Sequence, residues 1–157
     1  MTRILGIDPG TGILGFGVID VIKGQPVLVD AGVIRTPVKE DDAVRLLTIY
    51  DEISEIIGLH KPTLMSVEKL FFARNVTTAM TVSQARGVVL LCGMQSGMQI
   101  SEYTPMQIKQ AVTGYGKADK KQVQEMVRVI LKLKEVPKPD DAADALAAAI
   151  THGMTMR

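Results

Sequence analysis

The sequence has almost none of the residues that form disulfide frameworks or thiolate metal clusters. Its 157 residues include one cysteine, Cys92, and two histidines, His60 and His152. A single cysteine excludes an intrachain disulfide framework and a cysteine-ligated metal cluster. Cys92 ends an apolar run, so we expect a small buried residue there rather than a nucleophile. We likewise expect both histidines to have surface or packing roles.

Long apolar runs, tryptophan, repeats and low-complexity tracts are also missing. No apolar run reaches the roughly 20 residues needed to span a bilayer. Met1 is followed directly by a strand pattern rather than by a signal peptide. Isoleucine, leucine, valine, alanine and nine methionines supply the hydrophobic bulk. We therefore expect one compact domain over residues 1–157, located in the cytoplasm.

Strong net charge is absent too, but the charges are unevenly distributed around a total of +1. Residues 1–60 carry 9 acidic and 5 basic side chains, and residues 61–139 carry 5 acidic and 12 basic ones. Residues 140–157 are again acidic, with 3 acidic side chains against 1 basic. A basic middle permits a face that binds a polyanion, although solvated helices would produce the same asymmetry.

What the sequence does contain is an acidic residue at the end of its first apolar run. In residues 3–20 this run ends at Asp8, a Pro-Gly-Thr-Gly turn follows, and a second apolar run begins. The pattern predicts a hairpin of two buried strands with Asp8 at the tip of the first. A carboxylate in that position is costly to desolvate unless a metal ion or an anchored hydrogen-bond network binds it. On this stretch alone both readings stay open.

A second acidic residue, Glu68, ends another short apolar run. The pattern between the two predicts a strand over 26–35, a helix over 42–58 ending at Gly58, and a strand over 63–67. The apolar residues of this helix recur at helical spacing: Val44, Leu47, Tyr50, Ile53, Ile56 and Ile57. A right-handed helical crossover would place the strand before Glu68 parallel to the first strand, with both carboxylates at one sheet edge. The element order indicates an α/β fold.

The last predicted helix, over residues 140–150, adds further carboxylates. Asp141 and Asp144 lie three residues apart and therefore share a face. Asp140 is expected to complement the helix dipole, whereas Asp144 lies within an alanine run that should pack against the sheet. Oxygen donors without Cys or His suit Mg²⁺ or Mn²⁺ rather than Zn²⁺. Such a carboxylate cluster is the arrangement for two-metal phosphoryl transfer. We expect Glu102 to have a structural role or to lie at the rim of the cluster.

Two further helices suggest partners. The helix predicted over 76–96 carries a stripe of small or polar residues that could pack closely on the sheet or on a copy of itself, so we expect a homodimer. The basic amphipathic helix predicted over 119–133 begins with Lys120 and Lys121, and Lys117 precedes it. Lysines at a helix start oppose the macrodipole, and a phosphate ligand would offset that cost. The role of Tyr115, between two glycines, stays open.

Four short motifs together resemble the RuvC family of Holliday junction resolvases. They are Gly-Ile-Asp-Pro-Gly at 6–10, Val-Glu at 67–68, Gln-Ala-Arg-Gly at 84–87 and Asp-Ala-Ala-Asp-Ala-Leu-Ala at 141–147. The resemblance covers essentially the whole chain and implies an RNase H-like mixed five-stranded sheet flanked by helices. It also implies a homodimer and Mg²⁺-dependent paired nicking of four-way DNA junctions in recombination and repair.

The resemblance further implies roles for individual residues. The metal-binding catalytic carboxylates would be Asp8, Glu68, Asp141 and Asp144. Phe71 falls where the family places an aromatic residue that stacks on unpaired bases, and Lys69 and Arg74 flank it. Lys109 and Lys120 fall where the family places basic residues near the scissile phosphate. The implied partners are the branch-migration proteins RuvA and RuvB.

Two other functions are weighed against this one. The Gly-Ile-Asp-Pro-Gly-Thr-Gly stretch also resembles the first phosphate loop of the actin, Hsp70 and sugar-kinase superfamily, but that architecture needs two such domains and this chain has room for one. A junction-binding protein without catalysis is the other alternative. A protein that only binds DNA gains nothing from four carboxylates clustered beside phosphate.

Overall fold

The structure, a computed structural model, describes residues 1–10, 12–37, 39–69 and 76–156. Five strands and five helices alternate in a mixed order along the chain. Their bounds are β1 Thr2–Asp8, β2 Ile13–Ile22, β3 Gln25–Arg35, α1 Asp42–His60, β4 Leu64–Glu68, α2 Val76–Gln95, β5 Gln99–Tyr103, α3 Pro105–Thr113, α4 Lys120–Ile130 and α5 Asp140–Met154.

The sheet is mixed, with the strand order β3-β2-β1-β4-β5. The first three strands are antiparallel neighbours, whereas β1, β4 and β5 run parallel. Helix α1 makes the crossover from the β1–β3 meander to β4, as a parallel connection requires. Ile7 pairs with Val67 across β1 and β4, so the next residues, Asp8 and Glu68, lie side by side at one sheet edge. The predicted mixed five-stranded α/β fold is confirmed.

Helices cover both faces of the sheet. On one face α1 and α2 pack over the core that contains Leu5, Ile7 and Met65. On the other face α3, α4 and α5 pack over a second core that contains Ile4 and Ile19. Successive β1 side chains alternate between these cores because strand side chains point to opposite faces. Helices therefore cover the sheet on both sides.

Helix α5 lies unusually close to the sheet because glycine faces it from two strands. A Cβ built at Gly6 would lie 2.1 Å from the carbonyl oxygen of Ala145, and one built at Gly15 would lie 1.9 Å from that of Asp141. The buried Ser66 hydroxyl of β4 also donates a 2.6 Å hydrogen bond to the Ala148 carbonyl. These contacts fix the distance between α5 and the sheet. They therefore also fix the position of the first turns of α5 relative to the sheet edge.

Helix α1 differs from its prediction in two respects. It continues past Gly58 to His60, and its C-cap is Lys61 in the left-handed conformation with φ 52°. The chain tolerates Gly58 there because an exposed helical glycine costs only about 1 kcal/mol relative to alanine.

The inward face of α1 also differs. The residues it buries are Arg45, Ile49, Ile53 and Ile57, whereas Val44 and Leu47 are exposed. The spacing of the apolar residues predicts that an adjacent face of α1 is buried, because a pattern of apolar residues does not include a buried arginine.

The other helices agree with their predictions to within a few residues. Helix α4 is shorter than predicted, ending at Ile130, and α5 is longer, extending to Met154. Thr104 caps α3 in a reciprocal capping box with Gln107. Within the described ranges, no helix is both long enough and apolar enough to cross a membrane.

Candidate active site

Four carboxylates lie at the sheet edge where the parallel strands end. Asp8 ends β1 and Glu68 ends β4, while Asp141 and Asp144 lie in the first turns of α5. Single carboxylate oxygens of Asp8, Asp141 and Asp144 all lie within 4.8 Å of one another. Residues three apart in α5 share a face, and the close approach at Gly15 turns that face toward Asp8.

Glu68 contacts the cluster through one member of it. Its negative charge raises the pKa of Asp8, and it lines the same cleft as Asp144. It lies outside the compact group of three oxygens.

Electrostatic crowding changes the protonation of the cluster. Burial, followed by the negative charge of Glu68, raises the pKa of Asp8 to about 10. Burial also raises the pKa of Asp144 to about 6, although the neighbouring Lys120 opposes this increase. Like charges held together away from water favour the protonated form of one member. The negative charge of the cluster therefore favours the binding of cations.

Lys120 neutralises part of the negative charge of the cluster. Its Nζ lies 3.5 Å from Oδ2 of Asp144 and 3.8 Å from Oδ2 of Asp140. Burial lowers the pKa of this lysine, but the carboxylates of Asp144 and Asp140 raise it by more, so the net shift is upward. Lys120 is held beside the carboxylates with its positive charge intact.

A cleft of about 230 Å³ opens beside these groups. Its polar lining comes from Glu68, Asp144, Lys109 and Lys120, and Ile108 is among its apolar residues. It therefore joins two of the predicted carboxylates to both lysines predicted near the scissile phosphate. A cleft lined by both carboxylates and lysines has groups for a metal ion and for a phosphodiester.

The remaining predicted DNA-contact residues lie elsewhere. Lys117 is exposed in the loop before α4, and Lys121, next to Lys120 of the catalytic cleft in sequence, lines a second groove. Phe71 and Arg74 lie outside the described residues.

Other residues considered from the sequence have structural partners. Glu102 forms a two-pronged ion pair with Arg86 of α2, with Nε–Oε2 at 2.9 Å and Nη2–Oε1 at 2.6 Å. His60 lies 2.8 Å from the Asp30 carboxylate. His152 contacts the Tyr103 hydroxyl at 2.6 Å. The structural roles expected for these residues agree with these contacts.

Asp140 is not the cap of α5. Pro139 occupies the N-cap position, and Asp140 lies in the first turn, where it faces Lys120. A carboxylate in the first turn still complements the helix dipole.

Sequence reasoning missed the glycines that set the position of α5. It considered the turn glycines, of which Gly12 has a φ of 78°, but not Gly6 or Gly15 within the strands. A glycine inside a strand pattern marks close backbone approach. The glycines within the strands, taken together with the alanine-rich run of α5, could have identified the close contact between this helix and the sheet.

The donor set fits a hard divalent cation. Carboxylate oxygens converge on one point, and neither His nor Cys belongs to the group found among the described residues. Oxygen-only ligands favour Mg²⁺ or Mn²⁺. Bound cations would also relieve the repulsion that raises the Asp8 pKa.

Comparison with known proteins agrees with this geometry. Residues 4–152 match the family model described as crossover junction endodeoxyribonuclease RuvC. The chain is 54% identical over 154 residues to crossover junction endodeoxyribonuclease RuvC of Heliobacterium modesticaldum, covering 97% of this chain and 95% of that one. It is 56% identical over 150 residues to the protein of the same name from Brevibacillus brevis, covering 96% and 90%.

Solved structures show the same architecture. The structure of T. thermophilus RuvC in complex with Holliday junction substrate matches with a TM-score of 0.94 at 39% identity, covering 100% of this chain and 96% of that one. The yeast mitochondrial Holliday junction resolvase Ydc2 matches with a TM-score of 0.69 at 13% identity, covering 98% and 79%. The latter likeness shows the fold alone.

These matches decide between the alternatives that the sequence left open. They extend over nearly the whole chain and are to proteins named endodeoxyribonucleases, so they favour neither a nucleotide-binding half of a two-domain protein nor a junction-binding protein without catalysis. The protein has the mixed sheet, the acidic cluster and the relatives of a DNA-cutting enzyme of recombination and repair. The chain therefore belongs to the RuvC family of crossover junction endodeoxyribonucleases, the Holliday junction resolvases.

Proposed function

We propose that this resolvase cuts four-way DNA junctions by metal-assisted phosphodiester hydrolysis at Asp8, Glu68, Asp141 and Asp144. The observation that carries the proposal is the convergence of three carboxylates within 4.8 Å, beside a cleft lined by two lysines. Their crowding concentrates negative charge, which Lys120 neutralises only in part through its contact with Asp144.

The cofactor in this proposal is Mg²⁺, with Mn²⁺ as a substitute, and two ions occupy each active site. When bound, such ions generate the nucleophile from water and stabilise the negative charge of the leaving oxygen. Asp8 would be the central ligand of this set, because its carboxylate lies near those of Asp141 and Asp144 and beside Glu68. The backbone holds this ligand set rigidly, since its members end strands or begin a helix.

The lysines of the cleft have a different task. Lys109 and Lys120 face the space in which a phosphodiester would lie, and their charge favours a phosphate there. Lys120 would then exchange its contact with Asp144 for a phosphate oxygen once cations neutralise the carboxylates. Phe71, Arg74, Lys117 and Lys121 are proposed as further DNA contacts, with Phe71 stacking on an unpaired base.

We propose a homodimer that uses the exposed face of α2. Five residues at successive helical turns form this stripe and are all exposed: Met80, Gln84, Gly87, Leu91 and Met94. A Cβ at Gly87 would meet no atom within 4 Å, so a second helix could approach closely there. Two copies would place two active sites on one junction, as paired nicks require.

The dimer proposal is tested by placing a charge in the stripe. Leu91 is 52% exposed, and Val129 of α4, outside the stripe, is 48% exposed. Leu91→Asp should give a monomer in analytical ultracentrifugation at concentrations where the wild type and Val129→Asp remain dimers. A dimer that survives Leu91→Asp would place the interface elsewhere.

Partners and location follow from the family. We propose that the chain acts with the branch-migration proteins RuvA and RuvB in the cytoplasm, because moving a junction exposes new sites for cutting.

The reaction is tested on defined DNA. The purified chain is incubated with a labelled four-way junction and with linear duplex of the same sequence, each with Mg²⁺ or with EDTA. The expected result is a pair of symmetric nicks near the junction centre, in Mg²⁺ only. Cleavage of linear duplex at the same rate, or nicking in EDTA, would contradict the proposal.

A further inference from the structure

We propose that Tyr115 and the groove beside it bind a nucleotide of a DNA strand that leaves the catalytic cleft, with the aromatic ring against the base. The groove, which we call the Tyr115 groove, has a volume of about 450 Å³ and is lined by Tyr115, Asp119, Lys121, Glu125 and Met126, among others. This inference rests on the proposed function, since it assumes that the chain binds junction DNA.

The first observation is that the ring is exposed on a well-anchored loop. Tyr115 is 56% exposed, so it does not fill the core. Its main-chain N–H donates to the Thr113 hydroxyl at 3.1 Å, and its carbonyl accepts from the main-chain N–H of Ala118 at 3.0 Å. Gly114, at φ 81°, caps α3 before the loop. The loop therefore presents the ring without a large entropic cost on binding.

The second observation is the balance of charge in the groove. Its two carboxylates are already engaged: Asp119 accepts from the main-chain N–H of Gln122 at 2.8 Å, and Glu125 is bound by the Arg128 guanidinium. Lys121 makes no ion pair with any described residue. Lys121 is therefore available to meet an external phosphate, while Asp119 keeps its negative charge as the cap of α4.

The third observation is continuity with the catalytic cleft. Lys120 lines the cleft and Lys121 lines the Tyr115 groove, although they are adjacent in the first turn of α4. A strand whose phosphates pass from one lysine to the other crosses the start of α4 and reaches the aromatic ring. An aromatic face, the Met126 side chain and a lysine are the components of a base-stacking site on a single strand. DNA is therefore favoured over an acidic peptide as the occupant.

The test uses equilibrium binding of a fluorescent four-way junction to the full chain carrying Asp8→Asn, so that no cutting occurs. In this background Tyr115→Ala should weaken binding about tenfold, because the loss of one stacked base has an effect of that order. Tyr115→Phe keeps the ring and should bind within about twofold of its parent. Val129→Ala, an exposed apolar change elsewhere on α4, should have no effect.

Two further readouts identify the contact. A junction with 5-iodouracil substituted along one arm should form a photo-crosslink to Tyr115 at one position, located by peptide mass spectrometry. Lys121→Ala should reduce the slope of log affinity against log salt by about one. Because Tyr115 and Lys121 are exposed, the thermal midpoints of both variants should equal that of the parent.

The outcomes separate this inference from the proposed function. If the parent binds junctions and the wild type nicks them, but Tyr115→Ala behaves like its parent and forms no crosslink, the inference is wrong while the nuclease assignment stands. A loss with Lys121→Ala alone would mean that phosphate is held without base contact, which also overturns it. If the wild type neither binds nor nicks junctions, both are wrong.

Discussion

The replacement Asp8→Asn tests the charge state of the acidic cluster as well as its chemistry. Without a bound cation the pKa of Asp8 is raised to about 10 by burial and by Glu68, so at neutral pH the carboxyl is protonated. Asparagine has nearly the same shape, carries no charge and can donate a similar hydrogen bond. The replacement therefore imitates the neutral metal-free state and removes a metal ligand.

The size of the stability effect follows from the pKa shift. A carboxyl whose pKa is 3.8 when unfolded and about 10 when folded contributes full stability below pH 3.8, and this contribution falls as pH rises toward 10. Each pH unit costs about 1.4 kcal/mol of unfolding free energy, so the cost reaches roughly 4 kcal/mol at pH 7 as an upper limit. Asp8→Asn avoids this cost, so the metal-free variant should be the more stable protein, by roughly 1–3 kcal/mol at pH 7 to 8.

The assay combines unfolding with junction cutting. Urea unfolding in EDTA at pH 5, 7 and 8.5 should show that the stability advantage of Asp8→Asn grows with pH. Cleavage of a four-way junction in Mg²⁺ should fall to background, while junction binding remains near that of the wild type. In the presence of Mg²⁺ the stability difference should shrink, because cation binding stabilises the wild type alone.

Asp20→Asn is the matched control. This carboxylate is also largely buried, but the Arg3 guanidinium hydrogen-bonds to it at 2.8 and 2.9 Å and lowers its pKa. Its loss should destabilise the protein above the usual pKa range of aspartate, and its position on the second strand, away from the cluster, should leave cleavage intact. The reasoning fails if Asp8→Asn cuts at a rate near wild type, or if its stability relative to wild type does not change with pH.

The remaining predictions concern other parts of the site. Lys120→Ala should weaken junction binding and reduce its salt slope by about one, whereas Lys134→Ala, an exposed lysine outside the cleft lining, should do so less; equal slopes would remove Lys120 from the phosphate contacts. Phe71→Ala should spare binding to linear duplex yet impair junction resolution, and equal losses on both would indicate a folding defect. Gly15→Ala places a Cβ 1.9 Å from a main-chain oxygen of α5, and should lower the unfolding free energy by about 3 kcal/mol or more and weaken Mn²⁺ binding measured by calorimetry. Glu102→Gln should cost only about 1 kcal/mol, since the ion pair is partly exposed, and leave nicking unchanged; loss of nicking at normal stability would make this residue part of the machinery.

Much of the fold could be predicted from local sequence because strands and helices have different side-chain periods. The two apolar runs of β1 and β2, separated by a glycine turn, predict the hairpin, and the spacing of apolar residues predicts α1. Acidic residues at the ends of β1 and β4 can be assigned to one sheet edge, because a right-handed crossover makes those strands parallel. Asp141 and Asp144 can be assigned to one helix face for a similarly local reason.

Periodicity could not determine which face of α1 is buried, where Lys120 points or what Glu102 contacts. Each depends on an element distant in sequence: the buried Arg45 stripe packs toward α2, Lys120 reaches α5 across a connector, and Glu102 meets Arg86 of α2. No local pattern encodes such a pairing, because the same side chains would satisfy the helix or strand equally well when solvated.

The sequence by itself determined the element order, the carboxylates at strand ends and the oxygen-only character of the candidate metal site, because local periodicity and residue type carry that information. Only the tertiary structure decided how close the carboxylates come and how deeply Asp8 is buried. Those quantities depend on α5 lying against Gly6 and Gly15, a contact between segments more than 120 residues apart. The pKa of about 10 at Asp8 exists only in the folded chain, because burial and the approach of Glu68 produce it together.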